Sequence, residues 1–257
     1  KVEEITDGTL RYRYQIMNGS SGKQNLKNMI FLASHAYARQ STPNGWFGAV
    51  SPNVITPEFI VGWFRRGGYG SGLEPGKVQV GFGLESTDLP GVGEAKLKGA
   101  VKPIDEDTLS YSLPNPDSEA TRKYGEFITK DHIARFVATP KIPVSTPFDA
   151  VIVLSGIQKH INQDLLSMQL IGPAFASQLD RLLQAAIDAA KLNATKAVRD
   201  HLKDLRKLLK KEHADADKED DETESDPEKV KGGQVLIDKL AAKVLDFDFK
   251  YVEKRLK

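Results

Sequence analysis

Apolar side chains recur at every second position through roughly the first hundred residues and at every third or fourth position after Thr146. A strand turns alternate residues to one face, whereas a helix repeats after about 3.6 residues. Two periods in two separate blocks therefore require two differently built cores. The segment LRYRYQI sets Leu10, Tyr12, Tyr14 and Ile16 against Arg11, Arg13 and Gln15, as a half-buried strand does. NGSSG, Asn18 to Gly22, follows as a turn. NLKNMIFLAS, EFIVGWF and KVQVGFGLES are further β-branched and aromatic runs parted by Gly, Pro, Asn and Ser. GEAKLKGAVKP alternates Ala95 and Leu97, then less regularly Ala100 and Val101. Short strands with no helical pattern between them predict an antiparallel sandwich.

The second block starts with STPFDAVIVLSGIQ, where Ser145 or Thr146 is the expected cap and Pro147 the first helical residue. In PAFASQLDRLLQAAIDAAKLN, Phe175, Leu179, Leu182, Leu183, Ala186, Ile187 and Ala190 fall at helical spacing. Asn193 is placed to cap the next helix, whose stripe is Val198, Leu202, Leu205 and Leu209. GQVLIDKLAAKVL repeats the pattern with Leu236, Ile237, Leu240, Ala241 and Val244. The fold class expected is α+β: an immunoglobulin-like β-sandwich domain over 1–144, then a three-helix bundle over roughly 145–245 within a domain of 145–257. Core strands span about 8–102, a Pro/Asp/Ser-rich linker about 103–126, and an added strand 132–143. An acidic loop covers 212–230.

The chain's 257 residues suffice for two cores, and 40% apolar with 28% charged residues is ordinary for a soluble protein. No apolar run reaches the roughly 18–20 residues of a membrane span. A net charge of +1 supplies no global field for nucleic acid. The absence of cysteine excludes thiol catalysis, disulfides and thiolate-bound metals. KVEEITDGTL lacks the apolar middle of a signal peptide and is compatible with a mature start after cleavage.

The N-terminal run resembles secreted bacterial proteins, mostly of unassigned function, with an immunoglobulin-like sandwich. The resemblance rests on Tyr12 and Tyr14; Pro43, Gly45 and Trp46; Trp63; Pro75 and Gly76; Gly81 and Phe82; Pro90 and Gly91, in that order over about residues 8–102. The helical part is similar to a second module of such proteins, in which an Asn-x-x-x-Ala corner joins two helices. Here that corner is Asn193 and Ala197, with Leu192 where glycine is usual. The resemblance implies export and an extracellular or periplasmic setting, and it carries over no catalytic residue.

Candidate sites each have a plainer alternative. Trp46 and Trp63, with Tyr69, form a candidate carbohydrate platform or else core walls. RRGGYGSGLEPGK lacks the Lys-Ser/Thr ending of a phosphate cradle and reads as a hairpin loop from which Arg65, Arg66 and Tyr69 project. Asp215, Asp217 and Glu219 have the alternate spacing of calcium ligands, yet Asp220 stands where the loop needs glycine and Asp226 where it needs glutamate. Dense like charge favours a solvated loop. Lys203, Arg206, Lys207, Lys210 and Lys211 make a basic helix face that also complements the helix dipole. The five histidines show no zinc spacing, and no Gly-x-Ser-x-Gly elbow is present.

The tail LDFDFKYVEKRLK alternates Phe247, Phe249 and Tyr251 with Asp248 and Lys250. Three readings follow: a terminal strand over 246–252 closing the chain's own sandwich, a strand donated to a neighbouring subunit, or a continuation of the last helix. The expected function is a non-enzymatic structural, adhesion or assembly protein of the bacterial cell surface or matrix. Its partners are then proteins or further copies of itself. A carbohydrate- or calcium-binding surface module is the alternative.

Overall fold

The computed structural model describes residues 1–6, 8–22, 24–34, 39–53, 57–67, 71–99, 132–213 and 236–256. The chain divides into two compact units, Lys1–Ser86 with Gly93–Val137, and Thr87–Val92 with Ala138–Lys257. Among the described residues, two antiparallel sheets and four helices make it α+β.

One sheet has the order β1 (Val2–Thr6), β2 (Thr9–Met17), β7 (Val78–Ser86), β4 (Arg39–Ser41). The other runs β5 (Trp46–Pro52), β6 (Phe59–Arg65), β3 (Leu26–Ala33), β8 (Leu89–Gly99), β9 (His132–Ile142). Strand alternation fills the space between them. Leu10, Tyr12 and Ile16 of β2 are buried, Tyr12 lies in register with the buried Leu84 of β7, and Tyr14 with the buried Phe82. Trp63 of β6 is fully buried, with ring centroids 5.7–5.8 Å from Phe31, Tyr14 and Phe82. Its indole N–H donates to the Ser41 carbonyl at 2.9 Å, so the buried donor is satisfied. Trp46 is 5% exposed and meets Phe82 edge-on at 5.0 Å.

The second unit holds α1 (Ala150–Lys159), continued by a π-helical turn at His160–Leu165, then α2 (Pro173–Lys191), α3 (Thr195–Glu212) and α4 (Lys239–Arg255). Packing runs α1–α2, α2–α3, α3–α4 and α4–α1, so every apolar stripe has two neighbours. The expected three helices are four, because AVIVLSGIQK forms one of its own and buries Val153, Leu154 and Ile157. No helix among the described residues is long and apolar enough to cross a membrane.

Three local expectations are corrected. The cap of α1 is Asp149, whose carboxylate accepts from the Val151 and Ile152 N–H groups; Ser145 Oγ instead accepts from the Asp149 N–H, leaving Pro147 outside the helix. Asn193 does not cap α3 but closes α2. At φ +54° it takes the left-handed conformation, its N–H donates to the Ala190 carbonyl, and the Ala194 N–H donates to that of Ala189. That pair of bonds is the usual glycine-type helix ending, and asparagine tolerates the conformation it needs. Finally, 246–252 is neither a closing nor a donated strand. It lies inside α4, where Ala241, Val244, Leu245, Phe249 and Val252 are buried at helical spacing. The alternation arises because two acids also face inward: Asp246 takes ion pairs from Arg206 at 2.9 Å and Lys250 at 2.6 Å, and Asp248 is fully buried.

Candidate functional site

The aromatic candidates sort by strand face. Trp46 and Trp63 take inward positions of β5 and β6, so neither offers a ring to a sugar. The tryptophan platform is therefore corrected to a core wall. Arg65 is fastened over it, with its guanidinium 6.0 Å from the Trp46 ring and one N–H on the Asn44 carbonyl at 3.0 Å. Tyr69 and the candidate calcium ligands Asp215, Asp217 and Glu219 lie outside the described residues. Among the described residues no three His, Asp or Glu side chains gather as a metal site. Phe249 and Tyr251 are buried within α4 and Phe247 is half-buried, so the tail presents no free strand.

What alternation hides at Trp46 and Trp63 it reveals one residue further on. Phe47 and Phe64 are cross-strand partners on the outer face of the five-stranded sheet. Their rings stack with centroids 5.2 Å apart and planes 24° from parallel, and Phe47 remains 40% exposed. Gly62 makes this possible: a Cβ there would approach the Phe64 ring to 2.6 Å. The Arg66 guanidinium lies 5.9 Å from the Phe47 ring, and Leu32 is exposed on the same face. A stacked pair with a cation over it is a contact surface of the kind partners recognise.

Beside this pair runs an edge. Among the described residues β5 is the terminal strand of its sheet, and all six residues from Phe47 to Pro52 are exposed. An edge strand presents unpaired N–H and C=O groups, which proteins usually guard with charge, proline or brevity. The other edges follow that rule. β1 carries Glu3 and Glu4, β4 is only Arg39–Ser41, and β9 carries Arg135, Pro140 and Lys141. WFGAVSP has no charge, and its one proline is at the end.

The helical unit holds a part-buried polar cluster, centred on one buried histidine, that sequence reading missed. His160 is 2% exposed on the π-helical turn; its Nε2 accepts from the Val92 N–H at 3.0 Å. The neutral ring then carries its proton on Nδ1, 2.7 Å from Asp164 Oδ2, with Lys141 Nζ 3.6 Å from the same oxygen. Burial alone would raise the Asp164 carboxyl. The His160 hydrogen bond and the Lys141 charge outweigh it and hold the group below its ordinary value. Both ring nitrogens are occupied, so the cluster is a fastening rather than a reactive base. Gly91 is the tight point: a Cβ would stand 2.8 Å from Lys141 Cβ and 3.0 Å from His160 Cε1. Gly91→Ala is accordingly expected to destabilise the helical unit by about 1–3 kcal/mol, read by urea unfolding. An unchanged midpoint would refute that packing.

The helical unit also has a cleft of about 650 Å³, bordered by Phe148, Asp149, Lys191, Asn193, Thr195 and Leu256. The Asp149 carboxylate is already engaged as the α1 cap. Within α4, Asp248 is enclosed with neither carboxylate oxygen hydrogen-bonded, and burial pushes its carboxyl well above the usual range.

No protein-family model matches the sequence. No curated protein matches it. A crystal structure of an uncharacterized protein from Nocardia farcinica, described as revealing an immunoglobulin-like fold, is similar over 35% of this chain and 67% of its own, with 17% identity and a TM-score of 0.29. That likeness adds nothing to the architecture described above.

Proposed function

We propose that the chain is an exported, non-catalytic protein of the bacterial cell surface or matrix, acting in structural assembly or adhesion. Its immunoglobulin-like two-sheet unit is the scaffold, and the β5 edge with the Phe47–Phe64 pair is the contact. The observation that supports this reading is the uncharged edge with its exposed run FGAVSP, set beside three guarded edges. The partner it favours is a second copy. Under a two-fold axis residue i of one β5 meets residue j of the other and j meets i, so the strand has to suit its own reversed copy, and only a charge near the axis would face its like. β5 has none.

Sedimentation at increasing concentration tests the proposal. The wild-type chain is expected to pass from monomer to dimer, whereas Ala49→Lys and Val50→Lys, each placing a guarding charge on the edge, stay monomeric with unchanged circular dichroism. A wild-type chain that remains monomeric up to about 100 μM, an affinity weaker than most specific assemblies, would remove the assembly reading.

A further inference from the structure

The outer face of the four-stranded sheet carries a second concave surface, independent of β5. Alternation turns Arg11, Arg13 and Gln15 of β2 outward. Register then aligns Glu3, Arg11, Glu85 and Arg39 across β1, β2, β7 and β4, with Arg13, Gly83 and Ser41 in the next row. Between them lies a cleft of about 880 Å³ whose lining includes Arg11, Arg13, Gln15, Arg39 and Ser41.

Charge in the cleft is unbalanced. Glu85, which also lines it, accepts from Arg11 at 2.8 Å, and Arg13 reaches Glu3 at 2.6 Å from the neighbouring strand. The Arg39 side chain is exposed and has no partner among the described residues. Three guanidinium groups thus serve a cleft lined by one carboxylate. Gly81, at φ +97°, lines the cleft without a side chain, while the space over Gly83 is taken by Ser41, whose Oγ a Cβ there would meet at 2.7 Å. The Phe82 ring is turned into the core and Tyr14 packs on Phe31 and Trp63, so neither offers a face for base stacking. Val80, 60% exposed at the margin, gives a small apolar surface.

We propose that this cleft binds a segment of an acidic polysaccharide. The Arg13 and Arg39 forks take its carboxylate or sulfate groups, Gln15 and Ser41 take its hydroxyls, and Gly81 leaves its part of the wall without a side chain to obstruct a sugar ring. Guanidinium geometry suits such oxyanions, and an open cleft whose lining spans β2, β7 and β4 suits a polymer better than a compact ligand.

Fluorescence anisotropy with labelled polyuronate and sulfated-glucan oligomers tests this, with a neutral glucan as blank. Acidic oligomers are expected to bind and the neutral one not, with affinity falling as salt rises. Arg13→Gln/Arg39→Gln should weaken binding tenfold or more, while Lys203→Gln/Lys207→Gln on α3 should leave it unchanged. Arg39→Gln alone, at an exposed side chain, serves if the double variant fails to fold, with at least a threefold loss expected. The proposal is overturned if neither acidic oligomer binds or if the α3 variants lose as much as the sheet variants. Tighter binding of a single-stranded DNA oligomer or of anionic phospholipid vesicles through the same arginines would overturn it equally.

Discussion

Trp63→Ala is expected to destabilise the two-sheet unit by about 3–5 kcal/mol, the usual range for emptying a buried aromatic site. The indole has no exposed surface, touches three rings from both sheets, and satisfies the Ser41 carbonyl. Its loss leaves a cavity and an unpaired acceptor together. Phe47→Ala, one face over, should cost less than about 1 kcal/mol because the ring already meets water. Tryptophan emission in urea reads the first change and circular dichroism the second. Equal effects would mean that the face assignment, and with it the separation of core from contact surface, is wrong.

Asp248→Asn is expected to stabilise the helical unit at pH 7 and to leave it unchanged near pH 3.5. The Asp248 carboxyl is raised in the folded chain by burial alone. Folding therefore favours its protonated form. That contribution is fully present below the unfolded value of about 3.9 and is lost as pH rises toward the folded value. Asparagine does not titrate and keeps the shape. Asp164 works in the opposite direction, because its lowered value gives stability that is lost as pH falls. It is common to both proteins and cancels in the difference. Helical circular dichroism in urea at the two pH values measures it. An asparagine variant less stable than the wild type at pH 7, with the deficit shrinking near pH 3.5, would show that the ionised carboxylate has a partner.

The two-block architecture was legible because each block keeps its period over many residues: Leu10 to Ile16 in twos, Phe175 to Ile187 in threes and fours. What failed was local. In the tail, Asp246 and Asp248 break the helical pattern because both acids are buried, one inside ion pairs and one alone. Hydrophobicity cannot signal a buried charge. Asn193 was recognised as a helix-terminal residue but assigned to the wrong helix, since asparagine suits both an N-terminal cap and a left-handed C-terminal position. The contact surface was missed for a different reason. Alternation says that Trp46 and Phe47 face opposite ways, but which one faces inward depends on where the second sheet lies. Whether β5 is an edge is likewise set by strand order, which no local run of residues records. Arg66, named from its loop, does join the Phe47 surface. Arg11, Arg13 and Arg39 come together only through the β2–β7–β4 register.

Amide hydrogen exchange along β5, followed as the chain is concentrated, bears most directly on the idea that this strand is where the molecule meets its neighbour. Slowed exchange within Gly48–Ser51 at high concentration, absent from the Ala49→Lys variant, is the predicted result. Exchange in that stretch that stays fast and indifferent to concentration would contradict it.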